Sequence, residues 1–115
     1  MGSGTTKEQK TIRVVTIYSK LENLLDQLEN ALKSFENETF STIEELNALL
    51  IKQQIDSLQN QINDELINIR TELKKIKTKA EYDMKNKRLI ILSNRSQDLY
   101  MKNAEIIKSK LISQE

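Results

Sequence analysis

Apolar residues recur at steps of three and four from Val14 to Phe35, through Tyr18, Leu21, Leu25, Leu28 and Leu32. That spacing lays one stripe along an α-helix and predicts a first helix over residues 8–36. With Tyr18, Leu25 and Leu32 at heptad position a, the residues Val14, Leu21, Leu28 and Phe35 fall at d, and Ile17, Leu24 and Ala31 at g. Three apolar positions in seven make a stripe wider than a two-stranded seam, so this helix needs a bundle or two neighbours to cover it. Glu22, Asp26, Glu29 and Lys33 lie on the other side, and Glu29 with Lys33 forms a favourable i, i+4 pair.

The period fails at Glu36-Asn37-Glu38-Thr39. Ser41-Thr42-Ile43-Glu44 then reads as a capping box, in which the Ser hydroxyl caps a backbone N–H and Glu44 reaches back to the cap residue. Glu45 adds a second acid to the first turn, where the helix dipole favours it. The loop so defined is about four to six residues long, a length that joins antiparallel neighbours. From Thr42 a long second helix is expected, with Ile51, Ile55, Leu58, Ile62, Leu66, Ile69, Leu73, Ile76 and Ala80 as its seam. The doubled step of four at Leu58-Ile62-Leu66 is a stutter that relaxes supercoiling locally. Because the seam resumes cleanly, a helix continuous through residues 60–64 is preferred over a break there.

After Ala80 the seam fades into the charged stretch Glu81 to Arg88, followed by the apolar run Leu89-Ile90-Ile91-Leu92. Ser93-Asn94-Arg95-Ser96 is the turn candidate, with Ser96 as N-cap and Asp98 in the first turn of a last helix. That shorter helix, residues 97–113, carries Tyr100, Ala104, Ile107 and Leu111 on one face, and Lys108 and Lys110 near its C-terminus. The alternative is a helix that runs through the polar patch. The expected fold is all-α: an antiparallel helical hairpin with a long second helix and a shorter C-terminal helix, three-helix and coiled-coil-like. One domain spans residues 8–115, and the Gly/Ser-containing residues 1–7 read as a disordered tail or a cloning remnant.

Composition narrows the chemistry. The chain has 115 residues, of which 37% are apolar and 4% aromatic, so any core is thin and burial against a partner or a second copy would help it. It has no Cys, His or Trp, and its two glycines lie within the first four residues. Disulfides, thiolate nucleophiles and His-based metal or acid–base sites are thereby excluded, and a Gly-rich phosphate loop has no residues to form from position 5 onward. No window approaches a membrane-spanning length of apolar residues, and the start lacks the apolar core of a signal peptide. The adjacent carboxylates Glu44/Glu45 and Asp64/Glu65 point about 100° apart on a helix and read as solvated surface. Asn37-Glu38-Thr39 and Asn94-Arg95-Ser96 match the glycosylation sequon but read as turn chemistry. The sequence therefore points away from an enzyme and calls for no cofactor, metal or small-molecule substrate.

Charge is segregated despite a net value of +1. From Glu22 to Glu65 there are ten acids against two bases, and from Arg70 to Arg88 eight bases against three acids. Self-complementarity between helices or copies is the plainer reading. A docking patch on Lys74, Lys75, Lys77 and Lys79 is the sharper one. Nucleic acid and membrane are disfavoured as partners, because aromatics for base stacking are missing and the bases are not set against an apolar stripe. The residues expected to form the core or interaction seam are Leu21, Leu25, Leu28, Leu32, Ile55, Leu58, Ile62, Leu66, Ile69 and Leu73. Phe40 either plugs the end of the helix pair or anchors a partner. Leu89, Ile90, Ile91 and Leu92 are further anchor candidates.

In size, in its helix–short turn–helix plan, in its lack of Cys and in its richness in Ile, Lys and Asn, the chain resembles the small helical-hairpin proteins that accompany exported toxins in Gram-positive type VII secretion. These include the targeting partners that bind the helical leader of LXG toxins. Gln97-Asp98-Leu99-Tyr100, following a long charged helix, is a local echo. The chain departs from the related Trp-x-Gly hairpin family, having no Trp and Asn37-Glu38-Thr39-Phe40 as its loop. The resemblance implies a non-enzymatic adaptor that masks a toxin leader and presents it to the export machine, cytoplasmic until co-exported with its partner. A self-assembling structural coiled coil, or a bundle similar to the N-terminal three-helix domains of syntaxins and to tether subunits, is the alternative.

Overall fold

A computed structural model of the chain describes residues 15–113, and these residues are all-α. They form α1 (Ser19–Asn37), α2 (Ile43–Lys52), α3 (Ile55–Leu73) and α4 (Lys79–Ser113). The first part of the helix expected from residue 8, including Val14, lies outside the described residues. Within them the helix starts at Ser19 rather than earlier. Val15, Thr16 and Ile17 are β-branched and poor in helices, and Thr16 closes a turn instead. Its hydroxyl accepts from the Tyr18 N–H at 3.1 Å, and its own N–H donates to Ser19 Oγ at 2.8 Å.

The α1 stripe is buried along its length: Tyr18, Leu21, Leu24, Leu25, Leu28, Ala31, Leu32 and Phe35 all face inward. Its three-in-seven width is accounted for by two neighbours, since α1 packs against both α3 and α4. Polar contacts with α4 advance together along both helices, from Tyr18–Lys85 through Glu22–Arg88 and Asp26–Arg95 to Glu36–Lys110. The two helices therefore run in the same direction. Residues 15–20 share a cleft with residues 65–72, whereas Glu38 lies beside Lys52, so α3 runs the opposite way.

The capping box before α2 is shifted by one residue from its expected register. Thr42, not Ser41, is the N-cap, with its Oγ1 accepting from the Glu45 N–H at 3.1 Å. Glu45, not Glu44, reaches back, and its carboxylate accepts from the Ser41 N–H at 2.7 Å.

The long second helix is broken twice. The first break is at Gln53-Gln54, where Gln54 adopts φ 57°, ψ 30°. No sequence signal marks it, because this left-handed conformation ordinarily falls to Gly or Asn. The bend brings Leu46 into the core and leaves Ile51, assigned above to the seam, 77% exposed. A left-handed non-glycine residue is strained by about 1–2 kcal/mol, and Gly loses about 0.5–1 kcal/mol more entropy on folding. Gln54→Gly is accordingly expected to raise the unfolding free energy by up to about 1 kcal/mol, read as a higher urea midpoint at unchanged slope. A lower midpoint would show that Gln54 is not held left-handed.

The second break is the loop of residues 74–78, which the expected seam crossed through Ile76 to Ala80. Four lysines within residues 74–79 repel one another on a continued helix. Reversal instead lays α4 against α1 and α3, burying Leu89, Leu92, Leu99 and Ile106. Ile76 still packs partly on the core, while Ala80 is exposed.

The turn expected at residues 93–96 is absent: α4 is one helix of 35 residues. Its inward positions are Leu89, Leu92, Ser96, Leu99, Asn103, Ile106 and Lys110, an unbroken 3–4 series that passes straight through the polar patch. Helix α4 is thus longer than α3, the reverse of the expected proportions. At the stutter, by contrast, α3 is continuous, with Leu58, Ile62 and Leu66 all buried.

Candidate functional site: an outward apolar seam on α4

All ten residues proposed for the seam, from Leu21 to Leu32 and from Ile55 to Leu73, are buried inside the fold. None is left for an outside partner in this conformation. Phe40 is also buried, closing the end of α1. The run at residues 89–92 divides: Leu89 and Leu92 are internal, while Ile90 and Ile91 are each about half exposed.

The face assigned above to the last helix is turned away from the core. Tyr100 (62% exposed) and Ala104 face solvent, Leu111 is partly exposed, and only Ile107 packs against the core edge. The residues that pack inward, Leu99, Asn103 and Ile106, lie one position earlier. Because a one-residue step turns a helix by about 100°, α4 carries two adjoining seams. One is used by α1 and α3. The other, Tyr100-Ala104-Ile107-Leu111, keeps 4–3–4 spacing and is bordered by exposed Met101 and Ile112. Ile90 continues it toward the N-terminus through Ser93 and Gln97 at the same alternation.

Side chains at the α1–α4 interface hold this orientation. Arg88 Nη2 donates to Glu22 Oε2 at 2.5 Å. Arg95, at the centre of the expected turn, donates to Asp26 at 2.9 Å and to Glu29 at 3.3 Å. The Asp26 hydrogen bond is the main cause of the upward push on the Arg95 pKa, with burial opposing it and Glu29 adding to it. Each such half-exposed pair is worth about 0.2–1 kcal/mol. Part of the charge segregation is therefore spent within the fold.

At the other end, Lys110 Nζ donates to the Glu36 carbonyl at 3.0 Å and to the Glu38 carbonyl, and lies 5.7 Å from the Phe35 ring centroid. Helix α1 has no base in its own last turn, so α4 supplies the cation that its C-terminal carbonyls favour. The Tyr18 hydroxyl donates to the Lys85 carbonyl at 2.6 Å, and burial pushes its pKa up, with Arg88 opposing. Asn103 Oδ1 and Gln59 Nε2 are buried with no hydrogen-bond partner among the described residues.

Lys74, Lys75 and Lys77 sit in the α3–α4 loop and Lys79 opens α4, all exposed. Lys75 pairs with Glu72 at 3.1 Å. Among the described residues no group of His, Cys, Asp or Glu is placed to hold a metal ion, and no helix is long and apolar enough to cross a membrane. A shallow cleft of about 320 Å³ lies between the end of α1 and Ile106, Ser109 and Lys110 of α4. Its ammonium, Lys110, is already engaged by backbone carbonyls. No protein-family model, curated protein or solved structure matches this chain.

Proposed function

We propose that the chain is a non-enzymatic helical adaptor that binds another helical protein along the outward face of α4. The observation that carries this reading is the second seam, Tyr100-Ala104-Ile107-Leu111, which keeps helix-packing spacing and, apart from Ile107 at the core edge, is left exposed among the described residues. Its mixture of one large aromatic, one small residue and two branched aliphatics gives a partner helix ridges and a groove to fit. Helices α1, α3 and α4 serve as a three-helix, coiled-coil-like scaffold that holds this face rigid. By the resemblance described above, the partner is the helical leader of an exported toxin, and the role is to accompany that leader to secretion.

Co-expression with the product of a neighbouring gene bearing a long helical leader tests the reading. The wild-type chain is expected to co-purify with it. Ala104→Arg, an exposed change of small effect on the fold, is expected to abolish co-purification. Undiminished capture by Ala104→Arg would place the partner elsewhere. The second reading, a self-assembling coiled coil, rests on the same exposed seam. Sedimentation across micromolar concentrations separates the two: a monomer supports the adaptor, and a tight dimer or tetramer dissociated by Ala104→Arg supports self-assembly.

A further inference from the structure

The end of the molecule opposite Lys110 has a different surface chemistry. Lys74, Lys75, Lys77 and Lys79 are exposed there within six residues of chain, and Arg70 and Lys87 extend the basic surface along α3 and α4. The carboxylates Glu72 and Glu81 are each engaged by a lysine, Lys75 at 3.1 Å and Lys85 at 3.2 Å, while exposed Asp83 subtracts one charge. In sequence these bases have no apolar stripe beside them. The fold supplies apolar groups from other elements. Ile17, two residues before α1, lines the same concavity as Lys75 and Lys77. Val15 lines a cleft that also includes Glu72 and is 85% exposed, and Met84, in the second turn of α4, is 67% exposed.

We infer that this end docks on an anionic lipid surface, with the loop lysines at the headgroups and Val15, Ile17 and Met84 entering the interface. Charge complementarity selects the occupant's sign. The exposed aliphatic side chains select lipid over nucleic acid, because a duplex offers them no apolar phase and Tyr82 is the one aromatic on this end available for stacking. Lysines near an anionic leaflet each add affinity, and the attraction is screened by salt. Docking by this end leaves the outward α4 seam accessible, and neither requires the other.

Co-sedimentation of the full chain with phosphatidylserine–phosphatidylcholine vesicles tests the inference, with phosphatidylcholine vesicles and a DNA duplex as parallel probes. Binding to the anionic vesicles at low salt is expected, with loss on phosphatidylcholine alone and loss at about 1 M salt. The variant with Lys74, Lys75, Lys77 and Lys79 all changed to Gln is expected to bind about tenfold or more weakly, with an unchanged helical circular-dichroism spectrum. Val15→Ser combined with Met84→Ser is expected to weaken vesicle binding severalfold. No binding to anionic vesicles at low salt would overturn the inference. So would binding that ignores the serine changes and is matched on the DNA duplex, which would mark a non-specific polyanion site.

Discussion

Leu25→Ala is expected to lower the unfolding free energy by about 2–5 kcal/mol, whereas Ile51→Ala should change it by less than about 0.5 kcal/mol. Both residues lie on apolar seams read from the sequence, and by composition alone Ile51 has equal claim to the core. The fold separates them. Leu25 is fully buried on α1, the helix that contacts both α3 and α4, so truncation leaves a cavity in the shared core. Ile51 stands beyond the helix axis that its seam would need, because the chain turns at Gln54. A domain of this size has about 5–15 kcal/mol of stability in total, so the Leu25 effect is a large fraction of it. Leu66→Ala, on the facing seam, should fall in the same range as Leu25→Ala. Urea midpoints unchanged by both Leu substitutions would remove the assigned core.

The second large effect concerns the middle of α4. Gln97→Pro is expected to destabilise the chain by about 3 kcal/mol or more. Gln97 is exposed, so the substitution removes no core packing. What it removes is an internal helix hydrogen bond, and the proline ring collides with the carbonyl one turn earlier. Had Ser96 capped a new helix, Gln97 would be its first residue, the position where Pro is best tolerated. The size of the effect therefore distinguishes an unbroken α4 from a turn at residues 93–96. A Gln97→Pro chain with wild-type stability would restore the turn and, with it, the shorter last helix.

These two sites also show what the residue pattern could reveal. The seams of α1 and α3 were legible because leucine and isoleucine hold nearly every inward position, from Leu21 to Phe35 and from Ile55 to Leu73. The stutter was also legible, since the apolar phase resumes after it. The break at Gln54 was not, because the chain has no Gly or Pro after residue 4 to announce a left-handed or helix-ending position. The inner seam of α4 was hidden for another reason. Ser96, Asn103 and Lys110 occupy its alternate positions, so the apolar residues that remain, Leu89, Leu92, Leu99 and Ile106, recur at steps of three, seven and seven. The denser series one position later, Tyr100-Ala104-Ile107-Leu111, is the face the sequence makes conspicuous, yet Tyr100, Ala104 and Leu111 are exposed and only Ile107 reaches the core edge.

Of the three polar residues on the inner seam, Lys110 has a clear role, because the end of α1 presents carbonyls without a base of their own. Among the described residues Asn103 Oδ1 has no hydrogen-bond partner. A buried acceptor of that kind is unfavourable by about 1–3 kcal/mol.

Helix α4 faces inward through Leu99 and Ile106 and outward through Tyr100 and Ala104. The chain contains no Cys, so single-cysteine variants can be probed without background. Rates of thiol labelling in the native state measure the orientation directly. Cysteine at positions 100 and 104 is predicted to label nearly as fast as in the unfolded chain, and cysteine at positions 99 and 106 to be strongly protected. Protection at 100 and 104 with rapid labelling at 99 and 106 would contradict the assignment and remove the docking face with it.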